Sequence, residues 1–151
     1  MKKAGFLLLL VGLLFGCQKS IDIVAEPVKG DLFLVQNANN KAPEPVIVAN
    51  LLGQNLVANY SEEQLKSFYA YITPNKIATI SFEKVDGDYT MRGFDGSANY
   101  YYDLELMNNS LYLLNSFSGC SGCGFCIMSS ATSCSCNESS GSCSYSSGSV
   151  K

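Results

Sequence analysis

The chain has 151 residues and a formal net charge of −3, and it contains no histidine and no tryptophan. The negative net charge argues against the positively charged surface that nucleic-acid binding requires. The absence of histidine excludes Ser-His-Asp and Cys-His nucleophiles, and it also excludes zinc hydrolysis at a histidine-ligated site. Carboxylate, lysine or tyrosine chemistry stays possible, but no paired Asp/Glu motif indicates it. We expect a protein that is not an enzyme, carries no cofactor and has no nucleic-acid partner.

The first residues have the organisation of a secretory signal. Met1-Lys2-Lys3 is positively charged, and an apolar stretch (FLLLLVGLLF) occupies residues 6–15. The stretch is too short to cross a bilayer, which takes roughly 20 apolar residues. Polar residues follow directly after Gly16-Cys17, so cleavage explains the abrupt end better than residence in a membrane.

Residues 14–17 (LFGC) resemble the lipobox of bacterial lipoproteins, in which an aliphatic, a variable and a small residue precede a cysteine. The resemblance implies cleavage before Cys17, a diacylglycerol on its sulfur and an acyl chain such as palmitate on its new amino terminus. More than one chain gives stable anchoring, because each buried CH₂ contributes about 0.8 kcal/mol. An ordinary signal peptide followed by an incidental cysteine is the alternative interpretation.

The residue after Cys17 bears on the destination of the protein. By the same resemblance, aspartate at this position is typical of retention at the inner membrane, whereas the chain has Gln18. Gln18-Lys19 is also similar to the start of surface-export signals in Bacteroidota lipoproteins, although Ser20-Ile21 replace the acidic residues. We expect a lipid-anchored protein of the outer membrane, on its periplasmic side or at the cell surface.

Composition divides the chain into four parts. These are a signal peptide (1–16), a lipidated N-terminus and tether (17–45), a small α+β domain (46–115) and a Ser/Gly/Cys-rich tail (116–151). The tether is rich in asparagine and proline, which are typical of loops. Two short apolar runs, residues 32–35 and 46–49, are candidate strands.

A helix is predicted from residue 62 to about residue 72. Ser61 and Gln64 form a capping-box pattern at its start, and Pro74 prevents continuation at its end. Apolar side chains recur at three-and-four spacing within it, which predicts one buried face. These side chains are Leu65, Phe68, Tyr69 and Ile72.

After Pro74 the apolar period changes to two, which is typical of strands. Asp86-Gly87 is a strong hairpin signal, Asp95-Gly96 offers a second turn, and Asn108-Asn109 offers a third. The pattern predicts a four-strand antiparallel meander packed on one helix, followed by an irregular tail. The expected fold class is therefore α+β.

Several tyrosines lie on the predicted strands: Tyr89, Tyr100, Tyr101, Tyr102 and Tyr112. Tyrosine is a favoured strand residue, so packing on a pleated surface explains them. The alternative is a platform on which carbohydrate rings stack, with Tyr101 as the first candidate because it is expected to face outward.

The tail contains all the other cysteines: Cys120, Cys123, Cys126, Cys134, Cys136 and Cys143. Seven cysteines minus Cys17 leave six, an even number in a compartment that permits disulfides. Three bridges are the favoured interpretation, since cross-links stabilise a segment that is too polar to form its own core. Cys134 and Cys136 are expected to pair with different partners, but the sequence does not select one connectivity.

The competing interpretation is a thiolate site for Zn²⁺ or Cu(I). Its candidate ligands are Cys120, Cys123, Cys126, Cys134 and Cys136. An iron–sulfur cluster fits less well, because seven residues separate the fourth cysteine from the third, whereas the ferredoxin motif has three. Stapling predicts no free thiols in the exported protein, whereas metal binding needs several reduced cysteines.

Two further interpretations of the tail have weaker support. Its composition resembles substrates of enzymes that cyclise serine and cysteine to azoles, as in thiazole/oxazole-modified microcins. The Cys123-x2-Cys126 pair suggests redox catalysis, but no thioredoxin-like strand and helix surround it. The preferred reading is a lipid-anchored envelope protein with a structural or binding role, whose protein or glycan partner is unknown.

Overall fold

The computed structural model describes residues 30–36, 42–123, 125–136 and 141–150, and these residues are mostly β-structure. Their strands are β1 Leu34–Gln36, β2 Pro43–Pro45, β3 Ile47–Leu52, β4 Asn55–Ala58, β5 Thr79–Val85, β6 Asp88–Phe94, β7 Asn99–Met107, β8 Ser110–Ser121, β9 Cys126–Ser130, β10 Ser133–Cys136 and β11 Ser144–Ser149. A short helix, α1 Glu62–Phe68, and a 3-10 turn, Tyr69–Tyr71, lie between β4 and β5.

The predicted α+β class is wrong, and the fold is closer to all-β. Within the described residues, α1 is the single α-helix and has seven residues. The tail also differs from the irregular structure expected for it, because it adds β9, β10 and β11. The backbone of the tail forms hydrogen bonds by pairing with other strands, and the serine and glycine composition of the tail does not predict this pairing.

The four-strand meander is present as β5, β6, β7 and β8, each antiparallel to the next. Asp86-Gly87 and Asn108-Asn109 form two of its turns, with positive φ at all four residues. This is the geometry of type I′ turns, whose twist matches the twist of the flanking strands. Asparagine, aspartate and glycine tolerate positive φ, so these short turns set the register of the strands they join.

The longest strand, β8, joins the middle of the chain to the tail. The sheet order is β4-β3-β8-β7-β6-β5, and β11 also pairs with β8. One edge of β8 pairs with β7, while its other edge pairs first with β3 and then with β11. Because β8 continues through positions 115 and 116, where the composition changes, the tail belongs to the same sheet as the middle of the chain.

Part of the segment expected to be a tether packs on this sheet. β1 pairs with β2, and the backbone N–H of Phe33 donates to the carbonyl oxygen of Leu113 in β8. The side chain of Phe33 is buried, and its ring lies edge-on to Phe68 of α1 at 5.8 Å. The folded part of the chain therefore includes residues before position 46.

The helix begins as the sequence predicts. Ser61 and Gln64 form both hydrogen bonds of the capping box. The helix ends earlier than predicted, because the chain tightens into a 3-10 turn in which the carbonyl oxygen of Tyr69 accepts from both Ile72 and Thr73. No helix of the described residues is both long and apolar enough to span a membrane.

The sheet has a hydrophobic cluster on each face, and two neighbouring tyrosines of β7 each belong to a different cluster. Tyr102 packs against α1 and the 3-10 turn in the larger cluster, which we call the helix-side core. Tyr101 packs with Cys120, Cys126 and Met128 in the smaller cluster, which we call the cysteine-side core. Successive side chains of a strand point to opposite faces, so adjacent tyrosines reach different cores.

Candidate functional site: the cysteine cluster

The six tail cysteines come from the end of the central strand and from the segments that fold over it. Cys120 lies near the end of β8, and Cys123 lies in the turn that follows. Cys126 begins β9, whereas Cys134 and Cys136 belong to β10. The β9–β10 hairpin covers one face of the sheet, and Cys143 directly precedes β11.

The cysteines form three disulfides, as the even count predicts. Cys120 pairs with Cys134, Cys123 with Cys136, and Cys126 with Cys143. The paired Cα atoms are 5.8, 6.2 and 5.7 Å apart, within the usual range for disulfides. Cys134 and Cys136 have different partners, so the two neighbours in β10 connect the hairpin to β8 and to the turn after it.

Two of the three bridges lie against each other. The Sγ atom of Cys123 is 3.3 Å from that of Cys126 and 3.5 Å from that of Cys143. The Sγ atoms of Cys136 and Cys143 are 3.3 Å apart. All four sulfurs lie within 4.8 Å of one another, and we call this group the four-sulfur cluster.

The four-sulfur cluster differs from the five-cysteine metal set that the sequence suggested. Cys143 belongs to it, although it lies seven residues after Cys136 and was not among the predicted ligands. Cys120 and Cys134 are outside the group and form their own bridge. Only the folding of three separate segments brings the four sulfurs together.

A buried asparagine holds the start of β9 against the sheet. Asn99 of β7 is 1% exposed, and its Nδ2 donates to the carbonyl oxygen of Cys126 at 2.6 Å. The Nε of Arg92 donates to the Asn99 Oδ1 at 2.8 Å, which orients the amide. Arg92 is held in turn by an ion pair with Glu83 at 2.6 Å. This chain of contacts positions a cysteine of the cluster through its backbone.

A second contact of this kind involves Tyr101. Its hydroxyl oxygen accepts from the backbone N–H of Met128 at 3.1 Å. Burial raises the pKa of the Tyr101 hydroxyl, and the hydrogen bond from the backbone of Met128 opposes this shift. Asn99 and Arg92 were not predicted as site residues, because neither belongs to a motif or lies near a cysteine in the chain.

Replacing Asn99 with alanine is expected to lower the free energy of unfolding by about 1–3 kcal/mol, because a buried carbonyl oxygen loses its donor. Urea unfolding without reductant measures this change. Asn75→Ala is the matched control, since it removes an exposed amide hydrogen bond to Asp95. Equal destabilisation by the two substitutions would contradict the anchoring role of Asn99.

The expectation that Tyr101 faces outward is wrong. Tyr101 and Tyr102 are both fully buried, on opposite faces of the sheet. A carbohydrate platform needs exposed ring faces, and these two tyrosines do not supply them. The packing interpretation of the strand tyrosines therefore applies to both residues.

A cleft of about 170 Å³ lies between the sheet and the β9–β10 hairpin. Asp103 and Ser116 contribute polar groups to its wall, and Thr90 and Met128 also line it. The Thr90 hydroxyl is buried and has no hydrogen-bond partner among the described residues. Burial raises the pKa of the Asp103 carboxyl, and a hydrogen bond with Ser116 opposes this shift. The cleft offers hydrogen-bonding groups to a small polar ligand.

The lipidation candidate Cys17 lies outside the described residues. Comparisons of the chain with models of known protein families, with curated proteins and with solved structures found no match.

Proposed function

We propose that the chain is a lipid-anchored protein of the bacterial cell envelope, with a structural or binding role and no enzymatic activity. The observation that carries the proposal is the set of three disulfides in the tail. Disulfides persist in oxidising compartments such as the periplasm and the cell surface. A folded part that contains them supports an exported protein, as the N-terminal segment predicts.

The parity of the cysteines supports a lipid anchor on Cys17. The six tail cysteines pair among themselves, which leaves none of them as a disulfide partner for Cys17. A seventh, unpaired cysteine in an exported protein needs another role, and thioether-linked lipid supplies one. The position of Cys17 after an apolar segment agrees with this role.

A binding role has support from the cleft beside the hairpin. The Asp103 carboxyl and the Ser116 hydroxyl in its wall can recognise a ligand that offers both donors and acceptors. The hairpin that forms one wall is held by disulfides, so the shape of the cleft is set before a ligand arrives. The lipid on Cys17 is the proposed anchor to the membrane, and a protein or a glycan is the proposed partner.

Intact mass of the protein, purified from bacterial membranes without reductant and treated with a thiol-alkylating reagent, tests this proposal. We expect cleavage before Cys17, the added mass of a diacylglyceryl group and one acyl chain, and no alkylation of the six tail cysteines. The Cys17→Ser variant is expected to lack the added lipid mass, because serine offers no sulfur for the thioether.

The matched control is Ser20→Ala, which changes a residue close to Cys17 and leaves the sulfur in place. This variant is expected to keep the full lipid mass. A wild-type protein that is cleaved but carries no lipid would contradict the anchor and favour an ordinary signal peptide. Alkylation of the tail cysteines in the membrane-purified protein would contradict its oxidised state.

A further inference from the structure

The four-sulfur cluster has the dimensions of a tetrathiolate metal site. Zinc holds four thiolates at about 2.3 Å in a tetrahedron, which places the sulfurs about 3.8 Å from one another. The three contacts between the two bridges are 3.3, 3.5 and 3.3 Å, and no two sulfurs of the group are more than 4.8 Å apart. Two of the sulfur pairs are disulfide bonds, so a tetrahedral site requires these two bonds to open.

We infer that reduction of the bridges Cys123–Cys136 and Cys126–Cys143 converts the four-sulfur cluster into a binding site for one Zn²⁺ ion. The bridge Cys120–Cys134 stays intact and continues to hold the hairpin on the sheet. The protein then has two forms, an oxidised one with three disulfides and a reduced one with one disulfide and one metal ion.

The conversion needs a reductant, which we assign to the chemical class of dithiols. Each disulfide takes up two electrons and two protons, and each dithiol becomes a disulfide. Two dithiol molecules therefore give four cysteine thiols. Binding of Zn²⁺ displaces the four thiol protons and forms four Zn–S bonds.

Contacts within the cluster allow reduction to pass from one bridge to the other. Cys123 and Cys136 are both half-buried, so a dithiol reaches this bridge first. The resulting thiolate of Cys123 lies next to both sulfurs of the second bridge, Cys126 and Cys143. Its attack on Cys126 forms a Cys123–Cys126 disulfide and releases the Cys143 thiolate. A second dithiol then reduces the new bond.

The surroundings of the cluster suit thiolate ligands. The backbone N–H of Cys123 donates to the Cys126 sulfur at 3.2 Å, and such a bond stabilises negative charge on sulfur. Cys126 is buried, and Asn99 holds its backbone in place. Cys123-x2-Cys126 has the ligand spacing common in structural zinc sites, with Cys136 and Cys143 as the second pair.

Four thiolates favour Zn²⁺ among the soft metal ions. A closed tetrahedral set of sulfur ligands is typical of Zn²⁺ and of iron–sulfur centres, and Zn²⁺ has no redox chemistry of its own. Zinc is therefore compatible with a compartment in which the protein cycles between oxidised and reduced forms. The proposed ligands are four cysteines of the described residues, so the proposal needs no contribution from Cys17.

The test uses the full mature protein in detergent, reduced without oxygen by two equivalents of a phosphine that does not compete for zinc, which suffice for two of the three disulfides. Co²⁺ serves as the first probe, because a tetrahedral thiolate site gives it a visible absorption band. We expect one Co²⁺ per chain, displacement by one equivalent of Zn²⁺, and a native mass increased by one zinc ion minus four protons. In the zinc-bound protein, the four cluster cysteines should resist alkylation.

Two variants separate the cluster from the remaining cysteines. Cys136→Ser should lose the tetrahedral absorption, whereas the double variant Cys120→Ser, Cys134→Ser should retain it, because these residues lie outside the cluster. The alkylation pattern of the wild-type protein requires no variant, so it decides the ligand set even if a variant fails to fold.

Several results would overturn the inference. These are no tetrahedral Co²⁺ absorption in the reduced wild-type protein, undiminished absorption in Cys136→Ser, protection of Cys120 and Cys134 in place of the cluster, and binding of Cu(I) without Zn²⁺. None of these results affects lipidation or the disulfides of the membrane-purified protein, which are measured separately on the oxidised form.

Discussion

Replacement of both Cys120 and Cys134 by alanine is expected to lower the free energy of unfolding by about 3 kcal/mol. The bridge closes a segment of 14 residues, and a loop of this length accounts for a stabilisation of that size. Cys120 is fully buried beside Tyr101, so its loss also weakens the cysteine-side core. Urea unfolding without reductant, followed by circular dichroism, measures the change.

The matched control for this bridge is the double variant Ser121→Ala, Ser135→Ala. Both serines are exposed and each adjoins one of the bridged cysteines. Surface changes of this kind alter the free energy of unfolding by less than about 0.5 kcal/mol. If the double cysteine variant were no less stable than this control, the bridge would not hold the hairpin on the sheet.

Replacement of Tyr69 by alanine is expected to cost about 3–5 kcal/mol, the usual range for loss of a large buried aromatic side chain. Tyr69 is fully buried between the helix and the sheet. Its ring contacts Tyr102 edge-on at 5.2 Å, and its hydroxyl donates to the carbonyl oxygen of Met91. A side chain at Gly93 would meet this ring at 2.7 Å, so glycine leaves the space that Tyr69 fills.

Two further substitutions, one at Tyr69 and one at Tyr71, show which part of the Tyr69 side chain accounts for the loss of stability. Tyr69→Phe keeps the ring and removes the hydrogen bond to Met91, so it should cost about 1 kcal/mol. Tyr71→Ala is the control for the loss of an aromatic ring in the same turn. Tyr71 is 62% exposed, so its replacement should lower the free energy of unfolding by less than about 1 kcal/mol. Similar unfolding curves for Tyr69→Ala and Tyr71→Ala would show that Tyr69 does not link the helix to the sheet.

Local chemistry explains which elements could be predicted from the sequence. The capping box at Ser61 depends on residues three positions apart, and the turn at Asp86-Gly87 depends on two adjacent residues. Such signals act over a few residues, so they are visible in the sequence. The strands of the meander were predicted for the same reason, because alternating apolar residues describe a half-buried strand without reference to its partners.

The strands of the tail could not be predicted in this way. β11 (SYSSGS) has no apolar alternation, and it becomes a strand because its backbone pairs with β8. The prediction that Tyr101 faces outward is wrong for a related reason. Alternation predicts that Tyr101 and Tyr102 face opposite sides, but it does not show that the cysteine-rich hairpin covers the second side.

The features that can be predicted without coordinates are local or arithmetical: the turn residues of the hairpins, the start of the helix and an even number of tail cysteines. The lipid anchor on Cys17 rests on the same kind of local pattern and stays a prediction.

Three features depend on the three-dimensional fold: which cysteines pair, which four sulfurs meet and which buried asparagine holds the backbone of Cys126. The physical reason is distance along the chain. The bridges join residues 13 to 17 positions apart, and Asn99 is 27 positions from Cys126. Contacts over such separations depend on how the strands pair, which no short pattern of residues specifies.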